Sequence, residues 1–195
     1  KQKKINMVDI TKKKITNREA CASSIIVFSP EAFKKIIEDG SPKGEIFNVA
    51  RCAGILAAKK TSQIIPLCHN INLSSVKIDF DIDKKKFLLK VFSKVKTLFS
   101  TGVEMEALTA CSIASLTIYD MCKSIDKKIS ITDIKLTYKT GGKTGTFKND
   151  KLWESFKDNE TEYKSFKKNW KNKHSKFTYE DNLKRNFSIV RLSKK

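Results

Sequence analysis

The stretch TGVEMEALTACSIASLTIYDMCK, residues 101–123, decides the architecture of this 195-residue chain. Apolar side chains occupy almost every side of its helical circumference, which predicts a helix over residues 103–124 that is buried on several sides. Such a helix is not stable alone in water, because so much apolar surface has to be covered by other elements. The segments before and after it therefore have to supply that cover.

Strands are predicted on both sides of this helix. A β-branched and aromatic run ends the segment 17–29, and three later segments alternate apolar with polar residues, namely 73–82, 86–99 and 129–139. The pair Lys84-Lys85 separates the first two alternating segments and predicts a hairpin turn. The glycine-rich stretch GGKTG at 141–145 predicts a loop after the last strand.

Two further helices are predicted between the first strand and the hairpin. Ser29-Pro30-Glu31 has the pattern of a helix start, with a capping serine and a proline in the first turn, and Gly40 ends that helix. A long helix is predicted from Glu45 to Ile65, where Pro66 ends it. This order of elements, with an antiparallel hairpin in the middle, predicts an α+β fold in two layers.

The net charge narrows the classes of partner. The chain has 40 Lys and Arg against 21 Asp and Glu, a formal charge of +19, and 39% hydrophobic residues, which is enough for a core. No run of about 18 apolar residues is present, so no membrane span is predicted. The positive charge predicts an anionic partner, which is a nucleic acid, a membrane surface or a phosphorylated small molecule. Composition does not choose among these three.

Cysteine usage indicates the compartment. Five cysteines, an odd number with no CxxC pair, argue against a disulfide framework and for a reducing environment. No signal peptide opens the chain, so we expect a cytoplasmic or mitochondrial-matrix protein that is not secreted.

The last quarter of the chain differs in composition from the rest. Residues 149–195 contain no Gly or Pro, both Trp residues, and 13 Lys and Arg against 7 Asp and Glu. Aromatic residues recur there at helical spacing, which predicts an amphipathic helix or a partly disordered extension. We therefore expect one domain over 1–148, which carries most of the positive charge, followed by a basic, aromatic-rich extension over 149–195.

Two charged residues near the end of the central helix have two interpretations. Asp120 and Lys123 are three residues apart and can pair on one helical face. An exposed ion pair near a helix end is common and structural. The apolar surroundings favour the second interpretation, a catalytic pair, because charges are costly there unless they are used.

The spacing of Glu106 and Asp120 limits how they act together. These two acids lie within roughly 40° of one helical face but about 21 Å apart along the axis. One small reacting centre cannot contact both from the same helix. Either a second subunit supplies one of them or the substrate is long.

Other polar residues have a functional and a structural interpretation. His69, in IPLCHN, is either a structural hydrogen-bonding residue or part of a site, and no metal-ligand spacing surrounds it. Lys43, Lys139 and Lys143 are either solvated lysines or, with Arg18 and Arg51, a polyphosphate-binding cluster. The loop TGGKTG lacks the spacing of a phosphate-binding P-loop.

Four segments in register resemble one family. MVDIT (7–11), PKGEIFNVARCAGILAAKKTSQIIPLCH (42–69), TGVEMEALTACSIASLTIYDMCK (101–123) and KTGGKTG (139–145) closely resemble the molybdenum-cofactor biosynthesis protein C family, the cyclic pyranopterin monophosphate synthases. The resemblance runs from Met7 to about Lys148. Asn70 stands where the family commonly has Pro, and the family lacks an extension like 149–195.

The resemblance implies a fold, an assembly and a reaction. The fold is a ferredoxin-like two-layer sandwich, with long helices on one face of an antiparallel sheet. The assembly is a homohexamer, a trimer of dimers with active sites at subunit interfaces. The substrate is (8S)-3′,8-cyclo-7,8-dihydroguanosine 5′-triphosphate, which a radical iron–sulfur enzyme supplies. The product is cyclic pyranopterin monophosphate, diphosphate is released, and no metal or other cofactor is implied.

The resemblance also implies roles for individual residues. Asp120, Lys123 and Lys43 match catalytic positions. The substrate-binding positions are matched by a larger set, namely Leu67, Cys68, His69, Glu104, Met105, Glu106, Arg18 and Lys139.

A rival hypothesis is a catalytically reduced relative that binds RNA or protein through its positive charge. The acids of the extension argue against strong nucleic-acid binding. Retention of the residue set above favours the enzyme, because a binding module would not need it.

Overall fold

The structure is a computed structural model that describes residues 4–149. Within that range the chain forms five strands and four helices, in the order β1 (Thr16–Val27), α1 (Pro30–Asp39), α2 (Ile46–Lys59), α3 (Thr61–Ile64), β2 (Ser75–Asp83), β3 (Leu88–Phe99), α4 (Glu104–Cys122), β4 (Ser130–Thr140) and β5 (Phe147–Lys148). The predicted extension covers residues 149–195, and its residues from 150 onward lie outside the described residues.

The strands form one antiparallel sheet in the order β2-β3-β1-β4-β5. β1 is central and pairs with β3 along its whole length and with β4 across two irregularities in register. The predicted hairpin is β2–β3, and α2 and α4 pack together against the sheet. This arrangement confirms the predicted α+β class and the ferredoxin-like sandwich with its long helices on one face.

Small side chains allow α4 to lie close to both the sheet and α2. Ala107, Ala110 and Ala114 on α4 are fully buried, as is Ala22 of β1. At Gly54 of α2, a Cβ atom would lie 2.9 Å from the backbone carbonyl oxygen of Ala110. The prediction that α4 is buried on several sides is therefore confirmed, and its tight contact with α2 depends on a glycine.

The predicted start of α1 is also confirmed. Ser29 caps the helix by accepting a hydrogen bond from the backbone N–H of Ala32, and Pro30 is the first helical residue. Gly40 ends the helix with a φ of 78°, in the left-handed region that glycine adopts most easily.

The single long helix predicted from Glu45 to Ile65 is wrong, because the segment forms two helices. α2 ends at Lys59, Lys60 has a φ of −104° and a ψ of 8°, and α3 follows. The hydroxyl of Thr61 donates to the carbonyl oxygens of Ala57 and Ala58. It competes there with the backbone N–H groups that would continue the helix, a local effect that apolar periodicity does not reveal.

The two-residue strand β5 was also not predicted. It pairs with Tyr138 and Lys139 of β4. A strand of two residues is too short to show alternation in the sequence, and it forms by pairing with β4.

Candidate active site

Charged residues gather at both ends of α4. We call Lys43, Asp120 and Lys123 the carboxyl-end cluster. We call Glu104, Glu106 and Lys139 the amino-end cluster. Because α4 rises about 1.5 Å per residue, Glu106 and Asp120 are separated by about 21 Å along its axis, as the sequence spacing predicts.

The carboxyl-end cluster is a carboxylate held between two ammonium groups. Asp120 Oδ2 lies 2.6 Å from Nζ of Lys43, and Asp120 Oδ1 lies 2.7 Å from Nζ of Lys123. All three side chains are about half exposed. The bond from Lys123, followed by that from Lys43, lowers the pKa of Asp120 to about 2. Asp120 in turn raises the pKa of Lys123, so both are charged at neutral pH.

This cluster joins distant parts of the chain. Asp120 lies on the last turn of α4 and Lys123 directly follows that helix as its C-cap, whereas Lys43 comes from the loop between α1 and α2. That loop is short, and it turns at Gly40 and Gly44, which have φ angles of 78° and 103°. Two ammonium groups converging on one point can bind a phosphate, stabilise a leaving diphosphate or donate protons.

The amino-end cluster includes a lysine held by the glycine-rich loop. Lys139 Nζ lies 3.4 Å from Oε1 of Glu104 and donates to the hydroxyl of Thr144 at 2.9 Å. Thr144 was not among the predicted site residues. Its position inside KTGGKTG was the signal that could have identified it.

Glu106 is buried where α4 begins. Its side chain is almost inaccessible, with 3% of the residue exposed. Burial raises the pKa of its carboxyl to about 7, and the charge of Glu104 adds to the increase. A carboxyl with this pKa is partly protonated at neutral pH, so it can take up and release protons.

The loop after α3 lies close to this end of α4. Burial, together with the charge of Glu106, raises the pKa of the Cys68 thiol. Leu67 and Met105 leave 49% and 38% of their surfaces exposed, which provides apolar surface in the same region.

His69 binds the segment that contains MVDIT. Its Nε2 lies 2.8 Å from the carbonyl oxygen of Val8. A carbonyl oxygen only accepts, so Nε2 carries the hydrogen and Nδ1 is the ring nitrogen available as an acceptor in the neutral form.

The two arginines bind backbone and side-chain groups of the fold. Arg18 donates to the carbonyl oxygens of Phe99 and Ser100 at 3.3 and 3.2 Å. A side chain at Gly142 would collide with its guanidinium group. Arg18 therefore holds the start of β1 to the end of β3, and its guanidinium group lies against Gly142 of the glycine-rich loop.

Arg51 binds the side chain of Asn48 and the carbonyl oxygen of Ile78, and it lies over the ring of Phe80. Lys43 and Lys139 lie at opposite ends of α4. The predicted polyphosphate cluster of Lys43, Lys139, Lys143, Arg18 and Arg51 is therefore not assembled within one chain. Its members were grouped by residue type, and the fold separates them.

No metal centre or membrane helix is found in the part of the chain that the structure describes. Across residues 4–149, no three His, Cys, Asp or Glu side chains are placed to bind one ion. None of the helices in this range combines the length and hydropathy that crossing a bilayer requires.

Comparison with known proteins identifies the family. Residues 7–142 match the MoaC family. Three bacterial relatives, each named cyclic pyranopterin monophosphate synthase, align with this chain over about nine-tenths of their own length.

The protein of Bordetella avium is 46% identical over 146 residues, which is 75% of this chain and 90% of the relative. That of Parvibaculum lavamentivorans is 49% identical over 142 residues, 73% of this chain and 89% of the relative. That of Heliobacterium modesticaldum is 48% identical over 141 residues, with coverages of 72% and 89%. With a family match over most of its length and relatives at this level of identity, the chain belongs to the MoaC family.

Proposed function

We propose that this protein is a cyclic pyranopterin monophosphate synthase of molybdenum cofactor biosynthesis. It converts (8S)-3′,8-cyclo-7,8-dihydroguanosine 5′-triphosphate to cyclic pyranopterin monophosphate and diphosphate, without a metal or other cofactor. The observation that carries the proposal is the carboxyl-end cluster, in which Lys43 and Lys123 converge on Asp120. Membership of a family whose curated relatives carry this name supports it.

The carboxyl-end cluster suits the phosphate chemistry. A nucleoside triphosphate carries about four negative charges, and the departing diphosphate develops more charge as it leaves. Lys43 and Lys123 supply two positive charges at one point, and Asp120 keeps them there in the absence of substrate. The low pKa of Asp120 makes it a weak base. We therefore assign Asp120 the task of orienting the two lysines, and Lys123 that of donating a proton or a hydrogen bond.

The amino-end cluster suits the ring chemistry. Rebuilding the pterin ring requires protons to move on and off carbon, nitrogen and oxygen. Glu106, with a pKa of about 7, can exchange a proton near neutral pH. Lys139 and Glu104 provide further polar groups, and Cys68 and His69 lie on the loop beside them. Leu67 and Met105 provide apolar surface for the base.

One complete site requires two copies of the chain in this proposal. The two clusters lie about 21 Å apart along α4, too far for one small reacting centre. The helix layer exposes large apolar side chains, with Val49, Leu56 and Leu116 each about half accessible. Such surface favours association with a second copy. We propose a hexamer built as a trimer of dimers, with the carboxyl-end cluster of one subunit facing the amino-end cluster of its partner.

The context of the enzyme follows from its substrate. A radical iron–sulfur enzyme supplies the cyclic nucleotide. The five cysteines are all free, and Cys52 is exposed, which supports a reducing compartment such as the cytoplasm or the mitochondrial matrix.

Residues 1–148 form the synthase domain in this proposal. The alternative of an RNA- or protein-binding module is not favoured, because the curated relatives are named as synthases.

A direct assay tests the proposal. The full chain is incubated with the cyclic dihydro-nucleotide, and diphosphate release and pterin formation are measured together. We expect both products in equal amounts. Strong, salt-sensitive RNA binding without diphosphate release would contradict the enzyme and support the binding module.

A further inference from the structure

We propose that Ser41 is a positioning residue, which places Lys43 on Asp120 by joining the loop between α1 and α2 to the last turn of α4. The inference deepens the proposed function, because it concerns how the carboxyl-end cluster is assembled. Ser41 lies two residues before Lys43 and makes no bond to Asp120 itself.

One hydroxyl group makes the connection. Oγ of Ser41 donates to the carbonyl oxygen of Met121 at 2.6 Å and accepts a hydrogen bond from the backbone N–H of Lys43 at 3.1 Å. Met121 is the residue directly after Asp120. The same hydroxyl therefore contacts the backbone of Lys43 and the backbone next to its ionic partner.

The loop is shaped around this bond. Ser41 and Gly44 form a β-bridge, with the backbone N–H of Gly44 bound to the carbonyl oxygen of Ser41 at 3.0 Å. Gly40 and Gly44 have positive φ angles, which allow the chain to turn on both sides of Ser41.

Ser41 also binds a group that α4 itself leaves unsatisfied. The carbonyl oxygens in the last turn of a helix lack intrahelical partners. The N–H of Ile125 bonds to Cys122, not to Met121. The hydroxyl of Ser41 therefore caps α4 at its active end.

The ion pair needs this support because it is weak by itself. Lys43 and Asp120 are about half exposed, and an exposed pair gains little from its Coulomb attraction while restricting a flexible lysine. Placement of the Lys43 backbone reduces the number of positions that its side chain samples. Removal of the hydroxyl leaves the fold intact but allows Lys43 to leave Asp120.

A carboxyl titration tests this without depending on the reaction. The pKa of Asp120 is measured by ¹³C NMR in the full-length wild type and in Ser41→Ala, Ser41→Thr and Lys43→Ala. We expect Ser41→Ala to raise the pKa of Asp120 from about 2 toward its usual value, as Lys43→Ala does. Ser41→Thr keeps the hydroxyl and is expected to keep the wild-type pKa. In a Lys43→Ala background, Ser41→Ala is expected to add no further increase.

A control variant tests whether losing any hydroxyl that bonds the backbone of α4 has the same effect on the pKa of Asp120. Ser112→Ala removes a different hydroxyl, one on α4 itself, which donates to the carbonyl oxygen of Leu108 in the middle of the helix. We expect it to leave the pKa of Asp120 unchanged. An unchanged pKa in Ser41→Ala, or an equal increase in Ser112→Ala, would overturn the proposal.

Turnover provides the second readout. We expect Ser41→Ala to lower kcat roughly tenfold with little change in KM, because misplaced catalytic groups slow the chemical step. Ser41→Thr should keep a kcat close to that of the wild type. If the wild type releases no diphosphate, the proposed function fails, whereas the titration still decides the role of Ser41.

Discussion

At the scale of single residues, the protonation states of two carboxyl groups separate the two ends of α4. Asp120, half exposed between two lysines, has a pKa of about 2, whereas buried Glu106 has a pKa of about 7. The same type of group is therefore a fixed anion at one end and a titrating acid at the other. The environment, not the residue type, sets the role.

Removing charge from the carboxyl-end cluster tests the first role. We expect Asp120→Asn and Lys123→Ala each to lower turnover by about 100-fold or more, because preorganised charge stabilises the transition state. Diphosphate release measures turnover, and circular dichroism and thermal melting check the fold.

The matched control is Asp133→Asn. Asp133 also pairs with a lysine, Lys135 at 2.6 Å, but lies on β4 with a φ of 55°, which asparagine tolerates. It should retain wild-type turnover. Near-wild-type turnover in Asp120→Asn or Lys123→Ala would remove the catalytic assignment.

Glu106 makes stability depend on pH. Burial raises its pKa from 4.5 to about 7, so between these values the folded protein binds more protons than the unfolded chain. The free energy of unfolding therefore falls as pH rises from about 4.5 to about 7, by at most about 1.4 kcal/mol per pH unit, and stays level above that. We expect Glu106→Gln to remove this dependence.

Urea unfolding of the wild type and Glu106→Gln at pH 5.5 and 8 measures the difference. Glu31→Gln, at an exposed position in the first turn of α1, is the control and should follow the wild type. A larger stability for the wild type at pH 8 than at pH 5.5, relative to Glu106→Gln, would contradict the buried acid.

At the scale of elements, the contact between α2 and α4 depends on Gly54. Alanine at this position would gain helix propensity of about 1 kcal/mol. Its Cβ would also press against the backbone oxygen of Ala110 and the side chain of Ile78. A backbone atom cannot move aside as a side chain can. We therefore expect the steric destabilisation to exceed the gain in helix propensity.

We expect Gly54→Ala to lower the free energy of unfolding by about 1–3 kcal/mol, the usual range for overpacking. Urea denaturation measures it. Lys59→Ala, at an exposed position of the same helix, should change stability by less than about 0.5 kcal/mol. A stabilised Gly54→Ala protein would show that the two helices can move apart without loss.

At the scale of the whole molecule, the two clusters on α4 raise the question of how many chains form one site. The proposed two-subunit site predicts complementation between inactive variants. Asp120→Asn damages the carboxyl-end cluster and Glu106→Gln the amino-end cluster. A mixed dimer would contain one site with both defects and one with neither.

We expect each variant alone to be nearly inactive and randomly mixed oligomers to recover about a quarter of wild-type turnover. Coexpression with two different tags isolates the mixed oligomers for assay. Mixing Asp120→Asn with Lys123→Ala is the control and should recover nothing, because both defects lie in the same cluster. If the first mixture recovers no turnover, the two clusters do not combine across subunits into one site, and the proposed two-subunit site is wrong.

More of the fold than of the candidate site could be predicted from the sequence. The capped start of α1, the hairpin and the buried α4 were predictable, because periodicity and caps are properties of neighbouring residues. The break at Lys60 and the strand β5 were not, because a hydroxyl of Thr61 and pairing with β4 produce them. Residue type also did not show that Lys43 and Lys139 lie at opposite ends of α4 within one chain, because residue type carries no position.

The sequence by itself determined the fold class, the family resemblance and the separation of Glu106 from Asp120 along one helix. These depend on residue order and on the fixed rise of a helix. Only the tertiary structure decided that Lys43, 77 residues from Asp120 in the chain, joins it. It likewise decided that the hydroxyl of Ser41 contacts the backbone of both Lys43 and Met121. It also decided that Glu106 is buried, and so titrates near neutral pH. Contact between distant residues and burial arise from packing, which no local pattern of residues specifies.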